Sequence, residues 1–159
     1  MKKKLILKIE LVPASSWFSN VRSAVTAKQW SSIRLKNISY AYNICEICSD
    51  PGETHPLECH EIWGYNDEKL IQKLIGMTAL CKNCHMVKHI GLAQIQGKGE
   101  KAMKHFMKVN KMNKADAEKY ISEQFIIWAK RSKSKWTLDI SLLKDYGINV
   151  EKIEENKKA

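Results

Sequence analysis

The sequence predicts an α+β fold in which a hairpin and a helix in mid-chain form a small core, flanked by an N-terminal strand and helix and a C-terminal helical extension. Three observations predict it. Two Cys-x-x-Cys pairs bracket two short apolar stretches of strand character. A run of helical periodicity leads into the first pair, and the last third of the chain repeats that periodicity over two longer stretches.

Residues 4–12 alternate loosely between apolar and polar and stop at Pro13, which reads as a strand. Thr26 and Gln29 have the form of a capping box, and Trp30, Ile33, Ile38, Ala41 and Tyr42 follow at roughly helical spacing. The spacing predicts a helix over 27–43 that delivers the chain into Cys45. Residues 50–54 read as a loop, 56–63 as a first strand, 64–68 as a turn and 74–80 as a second strand, although 68–75 also fits a helical turn. Residues 83–93 look helical.

Gly97 and Gly99 mark a shift in composition. Beyond them a helix is expected over 100–109, with Ala102, Met103, Phe106 and Met107 inward and Lys101, Lys104, Lys108 and Lys111 on the opposite arc. Asn113 caps a longer helix whose stripe is Ala117, Tyr120, Ile121, Phe125 and Trp128. An extended piece over 136–140 and a short helix over 141–147 follow, and 151–159 is expected to fray. Trp17, Trp30, Trp128 and Trp136 are expected in the core. The units are thus 1–44, 45–94 and 95–159, read together as one compact body.

Net charge is +10, but it is unevenly placed: +7 over residues 1–44, −3 over 45–92 and +6 over 93–159. An acidic centre between basic flanks suits a core that holds cations while its flanks face a polyanion; a lysine-rich surface that keeps a small protein soluble gives the same total. No apolar run reaches the ~20 residues of a membrane span. The start has neither the length nor the cleavage site of a signal peptide, so a cytoplasmic location with reduced thiols is expected, and no membrane partner.

In that setting Cys45, Cys48, Cys81 and Cys84 read as ligands to one structural Zn²⁺. A Cys-x-x-Cys turn places two thiolates at adjacent tetrahedral positions about 2.3 Å from an ion, and two such turns complete the shell. Such a site has no open position, so it braces the fold and does no chemistry. Cys59 is left over. His85 and His89, four apart on the expected helix, project from one face as two ligands to one metal require. His60 lies on a strand that the cysteines would hold near that helix, because Cys84 adjoins His85.

The run from Cys45 to His89, with Cys-Glu-Ile-Cys, Leu-Glu-Cys-His-Glu-Ile-Trp and Ala-Leu-Cys-Lys-Asn-Cys-His-Met-Val-Lys-His, resembles the HNH endonucleases of the ββα-metal type, in particular those with two zinc knuckles. It covers about 45 of the 159 residues. The resemblance implies a hairpin and helix that hold one divalent ion, Mg²⁺, Mn²⁺, Ni²⁺ or Zn²⁺, at the scissile phosphate of DNA, while a base on the first strand activates water. RNA as substrate stays open, because nothing in the sequence reads a 2′-hydroxyl.

Two departures from the family pattern stand out. In place of His-His or Asp-His the chain has Cys59-His60-Glu61, so two registers compete. In one, His60, His85 and His89 bind the metal and Glu61 is the base; the steps of 25 and 29 residues from His60 and the flanking residues fit this one better. In the other, His60 is the base and Cys59 a ligand. The family's middle Asn is also missing: its position falls on Gly76, and Asn66 comes too early. A zinc-braced, non-catalytic nucleic-acid-binding module is the second reading. Lys82 and Lys88 beside the metal helix are placed for phosphate contacts, and the Lys101 to Lys111 arc is an ordinary charged face or a backbone track. Trp63 and Tyr65 can pack the hairpin or stack on bases, and His55 sits in a loop.

Overall fold

The computed structural model describes residues 4–52 and 55–153 and is mixed α+β. Its centre is an antiparallel hairpin, β1 (Glu58–Asn66) and β2 (Ile71–Leu80), followed directly by a helix, α3 (Lys82–Lys88). Both strands outrun their expected bounds. Residues 64–66 remain paired, and the turn is confined to 67–70, where Asn66 Oδ1 accepts the Glu68 and Lys69 N–H groups and Leu70 takes a left-handed φ of 52°. Residues 71–75 are strand, so the helical alternative over 68–75 does not hold. Ile62 pairs with Gly76 but Trp63 with Leu74, which leaves Ile75 as a bulge that twists the ribbon. β3 (Thr137–Asp139) adds in parallel to β2, so β1 is an edge strand.

Ahead of the hairpin come α1 (Val21–Ala24) and α2 (Ala27–Tyr40). The Thr26/Gln29 capping box forms in both directions. After α3 follow α4 (Ile90–Ile95), α5 (Gly99–Asn110) and α6 (Lys114–Arg131), the last capped by Asn113 as expected. A 3₁₀ segment, Ser141–Tyr146, precedes a helical turn over 150–153. That turn replaces the fraying expected from 151, because Val150 is buried beside Leu143 and Ile148; the rest of that tail lies outside the described residues.

The single helix expected over 83–93 is broken at His89, whose φ and ψ are −102° and 44°. The cause is tertiary: the Lys88 carbonyl accepts a hydrogen bond from the Glu10 N–H at 3.1 Å. An acceptor engaged from outside no longer holds the helix on its regular course.

The N-terminal strand also fails to form, although its alternation is real. Leu7 and Ile9 are buried, but no ladder pairs them. Asn110, at the end of α5, takes the place of a neighbouring strand. Its Oδ1 accepts the Ile6 and Leu7 N–H groups at 2.9 and 3.1 Å, and its Nδ2 donates to the Leu7 and Phe106 carbonyls.

One apolar cluster draws Leu7, Ile9 and Ile38 from the first 44 residues, Leu57, Leu80, Val87 and Ile90 from the centre, and Ala102, Phe106, Ala117 and Ile121 from the last third. A second gathers Val21, Ile33, Leu74, Ile140 and Leu143 with Trp30 and Trp63 against it. Trp136 is buried and Trp30 and Trp128 half-buried, whereas Trp17 is 58% exposed and is not core. Tyr65 packs edge-on against Trp136 and lies under the Arg131 guanidinium at 4.3 Å. No helix among the described residues is long and apolar enough to cross a membrane.

Because Asn110 closes four hydrogen bonds, three of them buried, Asn110→Ala strands two N–H groups and a carbonyl without partners. We expect a loss of about 2–4 kcal/mol, read by urea unfolding, with far-UV circular dichroism of the native state unchanged.

Candidate metal centres

The first centre is built by the turn after α2 and by the β2–α3 junction. Cys45 N–H donates to the Asp50 carbonyl and Ser49 N–H to the Cys45 carbonyl, which closes the first knuckle. Glu46 then zips that knuckle onto β2: its N–H donates to the Ala79 carbonyl, and its carboxylate accepts the Ala79 N–H at 2.6 Å and the Thr78 hydroxyl at 2.9 Å. Cys81 caps α3, its Sγ accepting the Cys84 N–H. All four sulfurs of Cys45, Cys48, Cys81 and Cys84 lie within 4.8 Å of one another, and Cys48 and Cys81 are 3.6 Å apart. A tetrahedron with 2.3 Å metal–sulfur bonds needs sulfurs about 3.8 Å apart, so the set can hold a metal ion such as zinc.

Three of these cysteines are buried, and without a cation their charges cannot coexist. The hydrogen bond between Cys45 and Cys84 pulls the first down to about 4 and pushes the second up, while burial pushes Cys81 up to about 11. A dication removes that conflict by accepting all four thiolates. His105 of α5 places its Nε2 3.2 Å from Cys84 Sγ, suited to donate to a thiolate. The sequence reading missed it, and the available signal was its place between the buried Ala102 and Phe106 on one helix.

The second cluster lies one residue away. His60 from β1, His85 from α3 and His89 at the junction of α3 and α4 bring their ring centroids to 5.3, 4.9 and 4.7 Å of one another. One nitrogen from each ring falls within a common 4.8 Å, and the Nε2 atoms of His85 and His89 are 3.2 Å apart. Two carboxylates hold the rings. Glu58 bonds His85 Nδ1, and Glu10 Oε2 bonds His60 Nε2 at 2.8 Å. Burial drives the His85 and His89 rings toward the neutral form, His89 down to about 3. Neutral rings are the form that ligates metals.

Neither carboxylate was anticipated. Glu58 was legible, since it lies two residues before His60 and so on the same strand face. Glu10 had no local signal, yet it is the only acid among the first 44 residues. It also corrects the role expected of Lys88, whose ammonium is buried and bonded to Glu10 Oε1 at 2.6 Å. That charge is spent inside the protein and is not offered to phosphate. Lys82 is exposed as expected.

A cavity of about 700 Å³ opens beside the imidazoles and wraps the free edge of β1. It therefore receives neighbours that a pleated strand sends to opposite faces, His60 and Glu61. Glu61 Oε1 accepts the Val21 N–H at 3.0 Å, and burial raises its pKa. Cys59 bonds Met77 Sδ at 3.8 Å, and burial pushes its thiol up to about 11. Among the described residues it stands outside the histidine cluster. His55 is exposed in its loop, and among the described residues it belongs to neither cluster.

The chain is thus an α+β protein whose hairpin–helix centre carries a four-cysteine cluster and, beside it, three histidines on an open cavity. Comparison with protein-family models, with curated proteins and with solved structures gives no match.

Purified protein is expected to carry one zinc per chain that Cys84→Ser loses, with cobalt in its place giving thiolate charge-transfer absorption. Because such sites contribute on the order of 10 kcal/mol of apparent binding energy, the same substitution lowers the melting temperature by about 10 °C or more. Metal analysis and thermal circular dichroism check both.

Proposed function

We propose that this chain is a metal-dependent HNH-type endonuclease that hydrolyses phosphodiester bonds in DNA. The observation that carries the reading is the convergence of His60, His85 and His89, 25 and 29 residues apart in sequence, at the mouth of a cavity. The three rings would hold one divalent cation, which would supply Lewis-acid stabilisation of charge on the phosphoryl group and leaving oxygen. An all-imidazole set favours Zn²⁺, Ni²⁺ or Mn²⁺ over Mg²⁺, which prefers oxygen ligands.

The chain's own residues do the rest. Glu10 and Glu58 each bond one ring nitrogen of His60 and His85, which fixes ring orientation and leaves the other nitrogen to the ion. Glu61 takes a proton of the attacking water as the water oxygen bonds phosphorus and the bond to the 3′ oxygen breaks, the departing oxygen taking a proton from solvent. A carboxylate of ordinary pKa near 4.3 is a weak base at neutral pH, and burial moves Glu61 in the useful direction. Its position is held by the Val21 N–H, which takes over a task the family gives to its middle Asn; here that position is Gly76, paired with Ile62. The alternative register, with Cys59 as ligand, is disfavoured because its thiol lies against Met77 Sδ and, among the described residues, outside the histidine cluster.

Supercoiled plasmid incubated with Mg²⁺, Mn²⁺, Ni²⁺ or Zn²⁺ is expected to be nicked with at least one ion. His60→Ala and His89→Ala abolish nicking and the binding of a second ion while keeping the cysteine-bound zinc. Glu61→Gln lowers the rate about 100-fold or more with both ions retained. Glu10→Ala weakens the second ion about 10–100-fold, read by isothermal titration. DNA retained without cleavage under every ion makes the chain a binding module and ends the nuclease reading.

A further inference from the structure

The cavity beside the imidazoles has walls that a phosphodiester alone does not explain. Trp17, Trp30, Trp63, Tyr65, Phe125 and Trp128 all line it, six rings drawn from four separate segments of the chain. They are anchored as a frame: Trp128 Nε1–H donates to the Val12 carbonyl, Phe125 packs edge-on against Trp128, and Tyr65 sits between Trp136 and Arg131. The wall is also open. Trp17 is 58% exposed, and Leu92, Ile95 and Ile127 on the same cavity are 46%, 78% and 41% exposed. A contiguous apolar surface left to water around a cavity marks a binding site.

What occupies it must satisfy three conditions at once. One end must present a group to the imidazoles, which share the cavity. Its body must offer flat apolar faces to indole and phenyl rings. Its charge must also suit a lining in which Arg22 and Arg131 are the cations, the latter shared with Asp67, while Glu10 is engaged by His60 and Lys88 and Glu61 by the Val21 N–H.

Duplex DNA meets these conditions poorly, because its bases are stacked inward and its outer surface is phosphate and sugar edge, which an apolar wall would have to desolvate. An unpaired strand meets all three. Every base has a face that stacks on an aromatic ring whatever its identity, while the backbone follows positive charge. Resting on the endonuclease reading for the catalytic end, we propose that this aromatic cavity is a binding site for unpaired nucleotides, so that the substrate is single-stranded or locally unpaired nucleic acid and its bases lie along the tryptophans while a phosphate reaches His60, His85 and His89.

The test reads binding apart from cutting. Full-length, zinc-loaded protein carrying His89→Ala, which cannot cut, is titrated with three labelled probes: an oligothymidine of about 12 nucleotides, an abasic strand of equal length and charge, and a duplex of equal length. Oligothymidine is expected to quench tryptophan fluorescence and to bind about tenfold or more tighter than either other probe. Trp17→Ala, at an exposed position that folding does not need, weakens oligothymidine binding about fivefold or more, leaves abasic binding unchanged, and is rescued by Trp17→Phe.

Equal binding of oligothymidine and the abasic strand overturns the proposal, since charge alone then suffices. So does duplex bound as tightly as oligothymidine, or Trp17→Ala without effect. The two readings fail separately. Oligothymidine bound through Trp17, with no cleavage of any substrate by the wild-type chain under any ion, ends the nuclease reading and keeps the cavity. Cleavage of duplex alone, with no preference for bases over the abasic strand, keeps the nuclease and ends this proposal.

Discussion

Cys84 and His85 are consecutive residues on one turn of helix, and their side chains serve two different clusters. Successive side chains on a helix diverge by about 100°, so α3 turns its sulfur toward the knuckle after α2 and its imidazole toward β1. Fixing the sulfur therefore fixes the imidazole. The cysteine cluster sits where β2 becomes α3, and the Glu46 carboxylate ties the opposite knuckle to Thr78 and Ala79 of the same strand. Since Thr78 is the cross-strand partner of His60, one rigid unit carries the sulfurs and all three rings.

On that unit the N-terminal segment acts as a clasp. Asn110 holds its start, the Lys88 carbonyl holds its end, and between them Leu7 and Ile9 are buried in the main core. The same hydrogen bond that docks Glu10 interrupts the helix at His89 and brings a carboxylate to His60. A buried lysine and a buried histidine would each be costly alone, and one carboxylate between them answers both. The site thus depends on residues more than fifty positions before its helix. This is why the three stretches 1–44, 45–94 and 95–159 share one apolar cluster.

The edge position of β1 gives the cavity its room. An interior strand would carry a further strand along the edge that separates the faces of His60 and Glu61, whereas an edge strand lets one cavity reach both. Opposite Ile62 stands Gly76, where a Cβ would meet the Ile62 side chain, and the backbone of Val21 supplies the hydrogen bond that keeps Glu61 in place.

Local chemistry was legible wherever spacing alone decides. The two cysteine pairs, the closeness of the i, i+4 histidines, the capping box at Thr26, the Asn113 cap and the buried faces of α5 and α6 follow from patterns a few residues long. The sequence by itself determined those elements and the cysteine and histidine sets they carry. Whether 4–12 would pair as a strand, where the helix after Cys84 would break, that Lys88 would be buried, and that Trp17 would face a cavity were decided only by tertiary structure. The reason is common to all four. A backbone group or a charge takes whichever partner the fold brings within reach, and for Leu7, Lys88 and His60 that partner lies about 50 to 100 residues away, beyond any periodicity a local pattern can carry.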